Sequence, residues 1–116
     1  ATGPMKGSAI VQRVERMIRE RYASDLNLGS IADEFDINPS YFSKKFKEET
    51  GVNFLDYLAR VRIEQAQALL DHTDLSIASV SRQVGFHDPK YFSRVFLALT
   101  GVKPSEYRAK AEEDGL

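Results

Sequence analysis

A chain of 116 residues, of which 42% are hydrophobic and 28% charged, has the composition of one compact soluble domain or of two very small ones. It contains no cysteine, which excludes disulfides, cysteine-ligated zinc and thiol nucleophiles, and a reducing cytoplasm is its expected location. No apolar run approaches the ~20 residues that span a bilayer, so we expect no membrane contact from this segment, while the net charge of −1 still permits local basic surfaces.

The N-terminal part of the sequence predicts two helices after a short leader. Residues 1–8, ATGPMKGS, show no apolar periodicity, and we interpret them as a disordered remnant of cloning. Apolar residues recur at helical spacing from Ile10 to Tyr22 and predict an amphipathic helix of about a dozen residues. Asn27 is a preferred N-cap for a short second helix that runs through Phe35.

Two longer helices are predicted next. Pro39 suits the first turn of the third helix, and Gly51 suits the left-handed position at its end. Asn53, with Asp56 three residues later, has the spacing of a capping box and predicts the start of a long fourth helix that ends near Asp71. The apolar positions of this helix are Leu55, Leu58, Val61, Ala66, Leu69 and Leu70.

The same order of elements then recurs. Ser76 is a suitable N-cap for a short helix that runs through Val84. Pro89 opens a longer helix that Gly101 closes, and Pro104 starts a last helix that fades into a polar tail. Because no segment shows sustained alternation of apolar and polar residues, the predicted fold class is all-α.

The recurrence is visible in the letters themselves. The segment PSYFSKKFKEETGV (39–52) returns as PKYFSRVFLALTGV (89–102), with eight of fourteen positions identical. Each copy is preceded by a short helix and a tight turn, which is the helix-turn-helix arrangement, whose second helix lies in the major groove of DNA.

The second helix of each copy carries a polar stripe opposite its apolar one. Phenylalanines four residues apart define the inward stripe: Phe42 and Phe46 in the first copy, Phe92 and Phe96 in the second. The opposite stripe consists of Ser40, Ser43, Lys44 and Lys47 in the first copy, and of Lys90, Ser93, Arg94 and Leu97 in the second. Hydroxyl groups and cations suit base edges and phosphates. Either stripe alone would more often be a solvated surface, but its recurrence at the same phase favours binding to double-stranded DNA.

At this level of detail the sequence resembles a known family. The segment IASVSRQVGFHDPKYFSRVFLALTGVKPSEYR (77–108) resembles the signature of the AraC/XylS family of bacterial transcription regulators, and the resemblance extends over about residues 8–110. It implies seven helices in two helix-turn-helix subdomains, residues 9–52 and 73–111, joined by a linker helix at 53–72 and followed by a polar tail at 112–116. It also implies that the two reading helices enter successive major grooves, roughly 34 Å apart.

The resemblance assigns roles to individual residues. Ser40, Ser43 and Lys44 of the first reading helix would face bases, with Lys47 nearer to phosphate, and Lys90, Ser93 and Arg94 would be their counterparts in the second. A guanidinium can bind guanine O6 and N7 together, which makes Arg94 the strongest candidate for base recognition. Further expected phosphate contacts are Asn27, Ser76, Tyr41, Tyr91 and His87. Position 97, which is often basic in the family, is leucine here, which either removes a phosphate contact or offers an apolar contact to a thymine methyl group.

Two other classes of function are alternatives to DNA binding. An enzyme is disfavoured, because the chain has no cysteine, no glycine-rich phosphate loop, and only His72 and His87 near helix ends without partner spacing; we expect no cofactor and no metal. A helical protein-interaction module would expose Phe42, Phe46, Phe92 and Phe96. The resemblance further implies an N-terminal sensor or receiver domain outside this segment, with RNA polymerase as an additional partner.

Overall fold

The computed structural model describes residues 7–115, and over this range the chain forms seven α-helices and no strand. These are α1 (Gly7–Arg21), α2 (Leu28–Glu34), α3 (Pro39–Thr50), α4 (Phe54–His72), α5 (Ile77–Gln83), α6 (Pro89–Thr100) and α7 (Pro104–Asp114). The predicted all-α class and the order of the helices are confirmed. Of the expected leader 1–8, residues 1–6 lie outside the described range, and Gly7 already begins α1.

The helix ends follow the predicted capping chemistry. The Asn27 side chain accepts a hydrogen bond from the Ser30 amide (2.8 Å), and Asn53 accepts one from Asp56 (2.8 Å). The Ser76 hydroxyl likewise accepts from the amide of Ser79 at 3.1 Å. At the ends of α3 and α6, Gly51 and Gly101 both adopt φ 84°. This left-handed conformation is unfavourable for a residue that has a Cβ atom, which explains the use of glycine. The caps Asn38 and Asp88, which precede the prolines of α3 and α6, were not anticipated.

Two details of the predicted elements differ from the structure. The last helix does not fade before the polar tail, because α7 continues through Glu112 and Glu113 to Asp114. Leu55, one of the apolar positions of the predicted fourth helix, is 69% exposed. Phe54 and Leu58, which lie four residues apart, form the buried stripe at this end of α4, and Leu55 falls beside it.

The chain divides into two compact units, one that ends at Leu58 and one that begins at Ala59. The division falls inside α4, so the helix expected to be a separate linker contributes its first residues to unit 1 and the rest to unit 2. In unit 1, α1 and α2 both pack on α3. The buried side chains of unit 1 include Val14, Ile18, Ile31, Phe42, Phe46 and Phe54; those of unit 2 include Val61, Leu70, Val80, Val84, Phe92 and Phe96.

Each unit is centred on a cluster of aromatic rings. In unit 1, Phe46 lies 5.7 Å from Phe42 and 5.3 Å from Tyr57, measured between ring centroids. In unit 2, Phe96 lies 5.7 Å from Phe92 and 5.6 Å from Tyr107. The four phenylalanines of the inward stripes are at most 1% exposed. A protein-interaction module that docks through these rings would need them at the surface, so their burial counts against that alternative.

Candidate nucleic-acid interface

The two copies of the repeated segment have the same local structure. Every one of the fourteen positions of 39–52 has the same degree of burial as its counterpart in 89–102. The Thr50 hydroxyl donates to the carbonyl of Phe46 at 2.8 Å and accepts from the amide of Val52 at 3.3 Å. Its counterpart Thr100 makes the same two contacts at 2.8 and 3.3 Å. The buried sides of α3 and α6 therefore fix the same outward face on each helix.

On α3 the outward face lines a shallow concave surface. Ser40, Lys44 and Lys47 are exposed and Ser43 is half-buried, and these four predicted site residues lie together on it. The neighbouring Lys45 points elsewhere and forms an ion pair with Glu49, with 3.6 Å between nitrogen and oxygen. Since the surface carries two lysines and two hydroxyl groups, it can hold an anion and donate hydrogen bonds.

On α6 the corresponding surface is more apolar. Ser93, Arg94 and Leu97 line it, together with Ile77 of α5 and Pro104 of α7. The fourth predicted residue, Lys90, is exposed in the first turn of α6 but is not among the residues that line this surface. The backbone amide of Lys90 donates a hydrogen bond to the carboxylate of the N-cap Asp88 at 3.0 Å.

Arg94 is held by its own helix. Its guanidinium carbon lies 5.8 Å from the centroid of the Tyr91 ring, within the range of a cation–π interaction. Tyr91 is 51% exposed, and its ring also lies 5.9 Å from that of the buried Phe86. A ring anchored on the core thus restricts the arginine side chain, which lowers the entropy that Arg94 would lose on binding a rigid partner.

The residues expected at phosphates occupy three kinds of position. Tyr41 and Tyr91 are about half exposed, at 52% and 51%, in the first turns of α3 and α6. His87 is exposed in the turn between α5 and α6. The side chains of Asn27 and Ser76 are engaged as N-caps of α2 and α5, so any contact there would come from the first backbone amides of these helices.

Sequence reasoning missed residues at the edge of each surface. Glu48 and Asn53 line the surface of α3, and Lys103 lines that of α6. Lys103 is the counterpart of Asn53, fifty residues later, so extending the alignment of the copies by one position would have found both. Glu48 places a negative charge beside Lys44 and limits how close a phosphate can approach that end of the surface.

The helix that follows each reading helix, α4 or α7, carries a tyrosine that forms a hydrogen bond with another helix. The Tyr57 hydroxyl donates to the Glu15 carboxylate (3.1 Å), and the Tyr107 hydroxyl donates to that of Asp71 (3.2 Å). Burial, reinforced by the neighbouring carboxylate, raises the pKa of both tyrosines above the usual value of about 10. Both groups are therefore neutral donors at physiological pH.

Arg108 fixes α7 in unit 2. Its guanidinium donates to the carbonyl of Leu70 in α4 (3.4 Å), to that of Thr73 (3.1 Å), and to that of Leu75. Leu70 lies in the last turn of α4, where helix geometry leaves carbonyls without intrahelical partners, and Thr73 and Leu75 lie in the segment between α4 and α5. One side chain therefore connects α7 with the end of α4 and with the segment between α4 and α5.

Two other kinds of feature are absent from the described range. Within residues 7–115 no group of three His, Asp or Glu side chains could hold a metal ion. None of the helices in this range is both long and apolar enough to cross a membrane.

Comparisons with known proteins agree on the type of domain. A sequence model of the family described as "Helix-turn-helix domain" matches residues 31–110. The Arabinose operon regulatory protein of Escherichia coli (strain K12) is 43% identical over 90 residues, 78% of this chain and 31% of that protein. The C-terminal domain of AraT, a response regulator from Geobacillus stearothermophilus, has a similar structure (TM-score 0.86, 34% identity, 91% of this chain and 88% of that one).

A third relative was solved with nucleic acid. The structure of the DNA-binding domain of AdpA, a global transcriptional factor, in complex with a target DNA has a TM-score of 0.85 at 26% identity, over 90% of this chain and 94% of that one. The chain spans 31% of the length of the curated relatives that it matches at 40 and 43% identity. The match covers both helix-turn-helix copies, and the chain belongs to the AraC-type family of helix-turn-helix domains.

Proposed function

We propose that this chain is the DNA-binding part of a bacterial transcription regulator and that α3 and α6 read double-stranded DNA in successive major grooves. One observation carries the proposal: α3 and α6 have the same burial at every repeated position and turn a face of hydroxyl groups and cations to solvent. The relative AdpA, solved with its target DNA, supports the same use of this fold. The recurrence of this face at the same phase favours a shared use of the two helices over a solvated surface without function.

The side chains divide the work of recognition by their chemistry. Arg94 donates to guanine O6 and N7, since its planar fork matches these two acceptors and Tyr91 restrains it at 5.8 Å. Ser40, Ser43, Lys90 and Ser93 are short or flexible donors for base edges, and Lys44 reads a base or a phosphate. Lys47 binds phosphate from a later turn of α3.

Contacts to the phosphate backbone of the DNA would fix the position of the domain along the duplex. Tyr41 and Tyr91 offer half-exposed hydroxyl groups at the first turns of α3 and α6. His87 offers a ring nitrogen from the turn before α6. The first amides of α2 and α5, next to Asn27 and Ser76, offer donors that helix geometry leaves unpaired. None of these groups distinguishes one base from another.

The decisive experiment is a selection of binding duplexes from a randomised pool, followed by titrations at several salt concentrations. With about six phosphate contacts, affinity should fall ~10³-fold between about 50 and 200 mM salt. Replacing Lys47 by Gln should reduce the slope by about one, whereas Lys45→Gln, which removes a lysine paired with Glu49 at 3.6 Å, should leave it nearly unchanged. Binding that shows neither a selected sequence nor a salt dependence would refute the proposal.

A second experiment tests whether the two reading helices act together. Inserting three residues into α4 rotates whatever follows by about 300° and shifts it by ~4.5 Å along the helix. Affinity for the complete site should then fall to that of a single half-site. The same insertion after Asp114 is the control. Full affinity of the α4 variant would show that the two helices need no common register.

The same proposal places this segment in a larger protein. The curated relatives are about three times as long as the part that matches, since the chain spans 31% of their length. We infer that a sensor or receiver domain controls this segment in the full-length protein. A contact with RNA polymerase stays a prediction, because the described surfaces contain no feature that identifies it.

A further inference from the structure

We propose that Leu97 is a specificity-determining residue of the second reading helix and that it recognises the C5 methyl group of a thymine. The inference rests on the proposed function and adds to it the identity of one feature in the DNA site. Leu97 occupies the place of Lys47 and is 43% exposed. It therefore presents an aliphatic side chain where the first copy presents a cation.

The position of Leu97 puts it among the reading residues. It lies four residues after Ser93 and three after Arg94, which is the same face of a helix, and all three line one surface. If Arg94 reaches a guanine, Leu97 reaches a neighbouring base pair in the same groove. The buried Phe92 and Phe96 fix the rotation of α6 that produces this arrangement.

The surroundings of Leu97 are apolar on one side. Ile77 and Pro104 line the same surface, and they back Leu97 with further carbon atoms. The corresponding surface of α3 also has apolar residues, Leu28 and Pro39, but it holds Lys47 where α6 has Leu97. The second surface therefore places Leu97 and its apolar neighbours beside two cations, Arg94 and Lys103, whereas the first surface has a cation, Lys47, at the place of Leu97.

The major groove presents one apolar group that an aliphatic side chain such as Leu97 can cover. Base edges there present donors and acceptors, except for the thymine methyl group. That group projects from C5 toward the backbone of its own strand, at the side of the groove where Lys47 is expected to meet phosphate in the first copy. Leucine gains nothing at a phosphate, since it has no donor, but it gains from covering a methyl group.

The test uses the duplex obtained by selection and replaces each thymine in turn by deoxyuridine, which removes only the methyl group. One thymine in the half-site affected by Arg94→Ala should be sensitive, with a loss of affinity of about 4-fold, equivalent to ~0.8 kcal/mol. Leu97→Ala should abolish the difference between thymine and deoxyuridine at that position. Leu97→Lys should abolish it as well and steepen the salt dependence by about one.

Leu99 provides a matched control on the same helix. It is also leucine and also 43% exposed, but it lines a different surface, with Ile63 and Thr100. Leu99→Ala should keep the preference for thymine over deoxyuridine intact. Equal loss of the preference in both variants would assign the effect to the stability of α6 and overturn the inference.

The remaining outcomes separate this inference from the proposed function. A wild-type chain that binds its selected duplex with full specificity, yet tolerates deoxyuridine at every thymine of that half-site, refutes the role of Leu97 alone. A selected half-site without thymine does the same. A chain that selects no duplex refutes the proposed function, and the inference then falls with it.

Discussion

Removing the guanidinium of Arg108 should weaken the attachment of α7 to α4 and to the segment that follows α4 in unit 2. In Arg108→Met the side chain keeps its length but loses its donors to the carbonyls of Leu70, Thr73 and Leu75. A hydrogen bond from a charged donor contributes about 1.5–3 kcal/mol, and the bond at 3.4 Å is the weakest of the three. Because the carbonyls are only partly buried, water replaces some of the loss, so we expect a net destabilisation of roughly 2–4 kcal/mol.

The measurement is urea denaturation followed by circular dichroism, combined with amide hydrogen exchange. Exchange should accelerate in the segment 70–80 and in α7, while the amides of α1 to α3 keep their protection. Arg108→Lys should recover only part of the stability, since one ammonium group cannot span three separated carbonyls. Arg82→Met is the control, because Arg82 is exposed and makes its side-chain contact to Ser79 at 3.2 Å. A loss below about 0.5 kcal/mol in Arg108→Met, or faster exchange throughout unit 1, would refute this role.

Three further predictions concern Arg94, the threonines that end α3 and α6, and Tyr107. Arg94→Ala should cost ~1–3 kcal/mol at one or two base positions, measured by binding to single-base variants; an equal loss on all sequences would make Arg94 a phosphate contact. Thr50→Val and Thr100→Val should each destabilise the chain by about 1 kcal/mol in urea denaturation, and a clear difference between them would contradict the equivalence of the two copies. The raised pKa of Tyr107 favours its neutral form in the folded state, so its contribution is complete below pH ~10 and is lost as the pH rises further; Tyr107→Phe should reduce this alkaline loss of stability, and an unchanged pH profile would argue against it.

The sequence predicted the helices well because their signals are local. Pro39, Gly51 and Ser76 determine backbone conformation at their own positions, and the structure shows each as a helix boundary. Leu55 shows the limit: its hydrophobicity suggested the core, but only the packing of Phe54 and Leu58 decides which side of α4 is covered. The residues at a helix end can therefore be predicted from local sequence, whereas the side of a helix that is buried depends on residues distant in the sequence.

Part of the candidate site was also predictable, because helical spacing is a local signal. The polar stripes of α3 and α6 follow from helical spacing, and their residues do lie on the outward faces. Lys103 could have been found from the alignment of the copies, as the counterpart of Asn53, and Glu48 lies on α3 itself, four residues after Lys44, so both were within reach of the sequence. The network of Arg108 was missed, because it joins residues 33–38 positions apart in the chain.

The distribution of differences between the copies bears on the kind of DNA site expected. Six of the fourteen repeated positions differ, and none of the six is buried, while the two buried positions of each copy are phenylalanine in both. The core of each unit therefore holds its own reading helix in the same way, and three of the six differing pairs, at 40/90, 44/94 and 47/97, belong to the predicted outward stripes. Arg94 replaces Lys44, and Leu97 replaces Lys47, so a bidentate fork and an aliphatic group stand where the first copy has two point charges. Groups of unlike chemistry select unlike base edges, and we expect the two half-sites in the selected duplex to differ in sequence even though two nearly identical scaffolds present them.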